Sequence, residues 1–243
     1  MGLNLIGLGV STKGSLTLAG LEAVRRSEVV YLEGYTSFLI SKKEEIEKEI
    51  GKEIIVLDRE KVESDFLIKD ASEKEVSLLV AGDPLMATTH YELYRVAKKV
   101  GVKVYHNTSI FNLVTRTGLQ AYKFGKTTSI AFFNSEYRPK SSIEVFHENK
   151  EIGAHTLFLL DIDPMKNNAL SIVDAVEYLI ALDTLLKKEN FLACARLGSE
   201  DEIIAYSSVD KLKEIDFGKP PYCLILPGKL HFLEEEALEE WKK

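Results

Sequence analysis

Glu75-Val76-Ser77-Leu78-Leu79-Val80-Ala81-Gly82-Asp83-Pro84 is the stretch that decides the fold. A nearly continuous apolar run that stops at Gly-Asp-Pro reads as a strand buried on both faces, which is how strands look in a parallel sheet covered by helices. A helix is expected next, across His90 to Val100, and then another strand across Lys103 to His106. The same rhythm runs upstream. Leu3 to Leu8 reads as a strand, Gly9 to Gly14 as a glycine loop, and Leu18, Leu21, Ala23 and Val24 fall at helical spacing. Thr17 is placed to cap that helix, and Gly20 three residues later excludes a capping box. Strands at Glu28 to Leu32 and Glu53 to Leu57 flank a charged amphipathic helix from Ser41 to Ile50. Strands alternating with helices imply a mostly parallel sheet with helices on its faces.

The alternation pauses at Asn107 to Phe111, where a helix from Asn112 to Leu119 leads into the polar segment Tyr122 to Thr128. The domain join is placed there, giving an N-terminal α/β domain over 1–111 and a C-terminal α/β domain over 112–243. In the second half, strands are expected at Ser129 to Phe133, Thr156 to Leu160, Leu192 to Arg196 and Tyr222 to Leu226. An amphipathic helix spans Ser171 to Lys187, and the sheet is expected to be mixed. The glutamate-rich run Leu233 to Trp241 reads as a helix with a solvated face.

The 243 residues exceed the usual size of one core, of roughly 100 to 200 residues, which also favours two domains. Apolar residues at 45% and charged residues at 28% exclude a disordered chain. Thirty-one cations against 38 carboxylates leave a net charge of −7, so no basic field exists to gather nucleic acid. No apolar run approaches the roughly 18 to 20 residues that span a bilayer, and Met1 to Val10, without a charged n-region or a long apolar h-region, is expected to be mature structure rather than a signal peptide. Cys194 and Cys223 lie in apolar runs, as reduced buried thiols do, which points to the cytoplasm.

Ile6-Gly7-Leu8-Gly9 places two residues without Cβ where a strand ends, so backbone can approach a ligand or turn sharply. A dinucleotide fingerprint would need a third glycine at Thr12 and a ribose-reading carboxylate that Glu33 does not convincingly supply. A tight turn alone accounts for the pair equally well. Asp83 is delivered to the carboxyl edge of the sheet, where open α/β folds bind ligands, and its carboxylate could accept hydrogen bonds from an amine or from ribose hydroxyls. Pro84 restricts its backbone, and capping of the following helix is the competing reading. The five histidines show no i, i+4 pair and no CxxC accompanies them, so no metal site is expected. No GxSxG elbow and no GK[ST] at P-loop distance from Gly7 are present, which disfavours hydrolase and NTPase chemistry.

Together with Tyr31-Leu32-Glu33-Gly34-Tyr35-Thr36-Ser37, Ala81-Gly82-Asp83-Pro84-Leu85-Met86-Ala87-Thr88-Thr89-His90 and Tyr122-Lys123-Phe124-Gly125-Lys126, the chain resembles the diphthine synthase family. The resemblance continues through Ser109-Ile110, His155-Thr156-Leu157, Ala195-Arg196-Leu197-Gly198-Ser199 and Pro227-Gly228-Lys229-Leu230-His231, covering nearly the whole chain. The GxG and GDP elements belong to the wider tetrapyrrole methylase-like superfamily, and the YTS, ATTH and YKFG segments to the diphthamide branch. The resemblance implies a class III methyltransferase of two α/β domains, with S-adenosyl-L-methionine folded into the interdomain cleft. It implies a homodimer that methylates the amino group of a 3-amino-3-carboxypropyl histidine on translation elongation factor 2, on the path to diphthamide. The GxG and GDP elements alone leave open a small-molecule, precorrin-type methyltransferase, and the fold alone leaves open a non-catalytic binding module.

Carried onto this sequence, the resemblance implies cofactor contacts at Val10, Asp83, Met86, Ser109, Ile110, Leu160, Leu197 and Tyr222. Family members commonly carry valine where Met86 stands and histidine where Tyr222 stands. Methyl transfer needs a neutral amine in line with the S–CH3 bond, and orientation alone can supply roughly 7 to 11 kcal/mol of the barrier. A base could add about 10²-fold or more. The sequence assigns no catalytic residue; His90, His231 and Tyr35 are candidates by polarity, and Lys123, Lys126 and Arg138 are candidates to line the protein-substrate approach.

Overall fold

The computed structural model describes residues 1–10 and 13–243. Thr12, the position of the absent third glycine, lies outside the described residues. The chain forms two compact units, Met1–Phe111 with Pro164–Lys166, and Asn112–Asp163 with Asn167–Lys243. The grouping of Pro164–Lys166 with the first unit has no counterpart in the expected division; it reflects packing such as that of Met165 Sδ, 3.5 Å from where a Cβ on Gly34 would lie.

The first unit runs β1 (Gly2–Gly7), α1 (Leu18–Arg26), β2 (Val29–Glu33), α2 (Lys43–Ile50), β3 (Ile55–Leu57), α3 (Arg59–Glu63), α4 (Phe66–Glu73), β4 (Glu75–Val80), α5 (Tyr91–Ala97) and β5 (Val102–Tyr105). Its sheet is ordered β3-β2-β4-β1-β5, with every pairing parallel. The period of two sorts the strand side chains cleanly. Leu3, Leu5, Tyr31, Val76, Leu78 and Val80 pack with Leu67, Ala71, Leu93 and Ala97 of α4 and α5. Ile6, Val30, Leu32 and Leu79 pack with Ala23, Val24, Ile46 and Ile50 of α1 and α2. Both faces are therefore dry, as the apolar run of β4 requires. From β1 the chain crosses to β2 on one side, and from β4 it crosses to β5 on the other. Connections diverging in this way open a crevice at the carboxyl ends of β1 and β4, where ligands bind in such sheets. Thr17 Oγ1 accepts from Gly20 N–H at 3.1 Å, capping α1 as expected.

A short helix, α6 (Ile110–Leu113), leads to the second unit, which contains β6 (Thr128–Ile130), α7 (Ser141–Glu151), β7 (Thr156–Leu160), β8 (Ile162–Asp163), β9 (Asn168–Ala169), α8 (Ile172–Leu182), β10 (Phe191–Ala195), β11 (Ile203–Ser207), α9 (Val209–Leu212), β12 (Tyr222–Leu226) and α10 (Phe232–Glu240). Its sheet is mixed, ordered β11-β10-β12-β7-β6, with only β6–β7 parallel among the described pairs. The core gathers Phe158, Phe191, Ala193 and Leu224 of the sheet under Ile143 and Phe146 of α7 and Val176 and Leu179 of α8.

Several elements depart from expectation for identifiable reasons. The strand expected to reach Phe133 ends at Ile130 because the Asp161 carboxylate takes the Phe132 N–H at 3.0 Å. The helix expected to Lys187 stops at Leu182, where Asp183 turns extended and caps a separate 3₁₀ turn over Thr184–Lys188. Gly118, at φ 87°, closes the 3₁₀ turn that follows α6, so no single helix spans Asn112 to Leu119. The expectation omits α3, α4, α7, α9, β11 and the β8–β9 hairpin. In α7 the buried face includes Ser142 and Asn149, which break its apolar pattern. Cys194 and Cys223 are free, buried and opposite one another across β10 and β12; their mutual hydrogen bond and burial push the Cys194 thiol well up.

Candidate functional site

At the carboxyl edge of the first sheet, three strand exits are tied together. Gly9 and Gly82 exchange backbone hydrogen bonds, N–H to O, at 3.0 and 2.9 Å, with φ of 60° and 74°. A Cβ on Gly7 would lie 2.5 Å from Gly82 O and 2.8 Å from Asn107 Cβ, and one on Gly9 would lie 2.8 Å from Asn107 Oδ1. The two glycines of the GxG are therefore required by the protein's own loops, which explains the pair without a pyrophosphate. Asn107 is the clasp: its Nδ2 donates to Gly7 O and to Ser15 O, each at 2.9 Å.

Asp83 is 3% exposed, and its carboxylate is the knot of this edge. Oδ1 accepts from Leu85 N–H at 2.9 Å, while Oδ2 accepts from Asn107 N–H at 3.1 Å and pairs with His106 Nδ1 at 2.8 Å. It caps no helix, since α5 begins only at Tyr91. The side chain acts on the loops that carry it, joining the exits of β4 and β5.

The YTS and ATTH segments meet beside it. His90 is 1% exposed; its Nδ1 donates to Pro84 O at 3.2 Å, so its Nε2 accepts from Tyr35 OH at 3.3 Å. Burial pushes the His90 pKa below its usual 6.5. Burial and then the Glu33 charge push the Tyr35 phenol up to about 12. Glu33 in turn accepts from the N–H groups of Tyr35 and Thr36 and from the Thr36 hydroxyl. With both imidazole nitrogens and the phenol engaged, His90 and Tyr35 are a structural pair rather than a base. Between them and Asp83, Ala87 holds a φ of 58°, a left-handed conformation uncommon for alanine.

Among the expected contact residues of this unit, Val10 follows Gly9, Met86 is 44% exposed beside Asp83, and Ser109 and Ile110 follow the Asn107 clasp. A Cβ on Gly82 would stand 3.8 Å from Thr108 O and 4.0 Å from Ser109 Cα, so a backbone-walled cradle lies over that glycine. Backbone carbonyls and amides beside a methionine suit an adenosyl group, whose adenine edge takes backbone hydrogen bonds and whose faces need apolar enclosure. The S-adenosyl-L-methionine expectation therefore fits these residues.

The other three expected contacts lie at one end of the second sheet. Leu160 ends β7, Leu197 follows β10, and Tyr222 opens β12 opposite Ala195. Leu160 and Leu197 are buried; the Tyr222 hydroxyl donates to Gly218 O, and burial raises its pKa. Where the family commonly has histidine, the phenol is thus committed to its own loop. Arg196, a residue that received no role from sequence, organises this end. At φ 51° and buried, it donates from Nε to Asp201 Oδ2 at 2.7 Å, from Nη2 to Asp201 O at 2.9 Å, and from Nη1 to Phe217 O at 2.7 Å and to Lys219 O. Its partners are the Asp201 carboxylate and loop carbonyls 5 to 23 residues away, which no local pattern reveals.

At the opposite end of β7 the same unit holds an open cavity of about 520 Å³ lined by Tyr122, Lys123, Phe124, Lys229 and His231. Below it, Glu234 is fully buried, contrary to the solvated face expected of α10. Its carboxylate accepts from Gln120 N–H at 2.9 Å, His231 N–H at 2.8 Å and the Lys123 ammonium. Gly228 N–H donates to His155 Nδ1 at 2.8 Å, so His155 Nε2 carries the proton and donates to Glu234 Oε1 at 3.0 Å. Burial pushes the Glu234 carboxyl up, and the Lys123, Gln120, His231 and His155 donors together outweigh it, holding the pKa at about 2. Burial lowers His155 despite the carboxylate. Lys123 and Lys126 are therefore not free approach cations: the first serves Glu234 and Lys229 O, the second pairs with Glu148 at 2.5 Å. Arg138 remains exposed. His231, the third candidate base, caps α10 with its side chain.

Comparison with known proteins agrees with this architecture. The model of the Tetrapyrrole (Corrin/Porphyrin) Methylases matches residues 2–213. A diphthine synthase of Methanococcus aeolicus is 39% identical over 97% of this chain and 96% of its own. A diphthine methyl ester synthase of Schizosaccharomyces pombe is 39% identical over 98% of this chain and 93% of its own. A crystal structure of diphthine synthase superposes with a TM-score of 0.91 at 39% identity, covering all of this chain and 96% of that one. The chain belongs to the tetrapyrrole methylase family and, within it, to the diphthine synthases.

Proposed function

We propose that this protein transfers methyl groups from S-adenosyl-L-methionine to the amino group of the 3-amino-3-carboxypropyl histidine of translation elongation factor 2, a peptidyl-histidine modification in diphthamide biosynthesis. The observation that carries this reading is full-length similarity to diphthine synthases and diphthine methyl ester synthases from archaea and eukaryotes. The Tyr35–His90 pairing of the two diphthamide-branch segments supports it against a small tetrapyrrole acceptor.

On this reading Val10, Asp83, Met86, Ser109 and Ile110 from the first unit and Leu160, Leu197 and Tyr222 from the second contact the cofactor. Asp83 contributes through the loops it ties, and Tyr222 through its ring and backbone. The protein works as a homodimer in the cytoplasm, with no nucleic acid or membrane partner. No helix among the described residues is long and apolar enough to cross a membrane.

Calorimetry with S-adenosyl-L-methionine, together with methyl-tritium transfer to modified factor 2, unmodified factor 2 and a precorrin, tests the proposal. Binding with transfer to modified factor 2 alone is expected; transfer to the precorrin, or binding without transfer, contradicts it. Asp83→Ala is expected to weaken cofactor binding by about tenfold or more, a change of about 1.4 kcal/mol per decade. Unchanged affinity removes Asp83 from the cofactor site.

A further inference from the structure

Amine methylation has a requirement that the cofactor does not meet: an acceptor that is an ammonium ion must lose a proton before its lone pair exists. The five histidines divide sharply in their ability to take it. His90 and His155 are buried with both ring nitrogens engaged. His231 uses Nδ1 on the α10 terminus. His147 meets Asp183 at 3.5 Å on the surface of the second unit. At the carboxyl edge of the parallel sheet, where His90 is buried, His106 combines a 2.8 Å bond to a buried carboxylate with a side chain 67% exposed.

From this geometry we infer that His106 is the general base of the methyl transfer and that Asp83 is its positioning residue. The inference rests on the function proposed above. Two backbone N–H groups, of Leu85 and Asn107, already fix the Asp83 carboxylate as an acceptor, so the third partner, His106 Nδ1, is a donor. The proton on Nδ1 leaves the Nε2 lone pair free, as in the arrangement of a carboxylate behind a catalytic imidazole. His106 is the last residue before the Asn107 clasp, and Ser109 and Ile110, in the proposed cofactor contacts, follow within four positions. Other titratable groups of this edge include Glu33, the last residue of β2, Tyr35 after it, Arg59 and Glu63 of α3, His90 before α5, Lys13 after β1 and Tyr105 of β5. Arg59 lies over the Tyr35 ring, Glu63 accepts from the Thr89 hydroxyl, Glu33 accepts from the Tyr35 and Thr36 N–H groups, and Tyr35 and His90 bond one another.

In the proton step, an N–H bond of the acceptor ammonium breaks with its electron pair remaining on nitrogen, and the proton bonds to His106 Nε2. The imidazolium is held by the Asp83 charge and returns the proton to solvent through its exposed edge. Bound S-adenosyl-L-methionine supplies an electrophilic methyl group, the new N–C bond forming from the amine pair as the C–S pair passes to sulfur. Asp83 thereby unites two tasks, tying the strand exits and setting the tautomer of the base.

Long-range ¹H–¹⁵N NMR of the cofactor-free protein with labelled imidazoles reads the tautomer directly. The neutral His106 ring is expected to carry its proton on Nδ1; the Nε2–H form usual for free histidine overturns the inference. On modified factor 2, His106→Gln is expected to slow amine methylation at pH 7 by about 10²-fold, the deficit shrinking as pH rises and the acceptor loses its proton to solvent. His106→Ala should recover with added imidazole, saturably, while its circular dichroism matches the parent. A His106→Gln rate within a few-fold of the parent at all pH values, or no imidazole response in a folded His106→Ala, overturns the proposal. If the parent itself methylates no acceptor, the proposed function fails, and the NMR tautomer separately decides whether Asp83 sets the imidazole.

Discussion

Gly9 shows how one residue's missing methyl group shapes the site. Its φ of 60° and the Asn107 oxygen 2.8 Å from its would-be Cβ oppose any side chain. Gly14, in the same segment, also has a positive φ, of 79°, but nothing within 4 Å. Gly9→Ala is therefore expected to cost about 1–3 kcal/mol of stability through backbone strain, plus displacement of Asn107. Gly14→Ala bears the backbone cost alone. Thermal denaturation of both variants separates the two effects, and equal losses would remove the Asn107 contact from the account. The glycine pair was legible in sequence, but its reason was not, because Asn107 lies 100 residues from the Gly7 carbonyl it holds.

At the scale of elements, α10 is pinned to the second unit through Glu234, and the pin is sensitive to acid. The Glu234 carboxylate is held at about 2 against an ordinary 4.5, so the folded state binds fewer protons than the unfolded one between those values. Its stabilisation is complete above about 4.5 and is lost as pH falls toward 2. His90 and His155, lowered by burial, act earlier: their contribution is complete above 6.5 and declines below it. Melting temperature is thus expected to fall from about pH 6.5 downward and again below about pH 4.5. Glu234→Gln should lessen the second fall, to which Glu47, Glu75 and Asp201 also contribute, and cost about 3 kcal/mol at pH 7, since it leaves Lys123 without its carboxylate. A melting curve unchanged by this substitution contradicts the pin. The glutamate-rich run gave α10 its boundaries to within a residue; the inward glutamate escaped because its partners, Lys123 and Gln120, are more than 100 residues away.

Across the whole molecule, what the sequence disclosed follows a physical division. The long apolar run of β4 and the glycine punctuation after it disclosed the parallel sheet and the edge where such sheets bind ligands, because burial on both faces leaves a local signature. Elements with polar buried faces, such as α7, left none. The proposed contact set Val10, Asp83, Met86, Ser109, Ile110, Leu160, Leu197 and Tyr222 came from family resemblance, whereas Arg196 and the Asp83–His106 pair required coordinates. The proposed homodimer is checked by sedimentation velocity, which should give twice the mass of the chain; a monomer at micromolar concentration contradicts it.

The most direct test of the central claim is the intact mass of elongation factor 2 bearing the 3-amino-3-carboxypropyl histidine after incubation with this protein and S-adenosyl-L-methionine. The account predicts a gain in whole methyl units on the modified factor and none on the factor with an unmodified histidine. No gain from a preparation that binds the cofactor, or an equal gain on both forms of the factor, would contradict it.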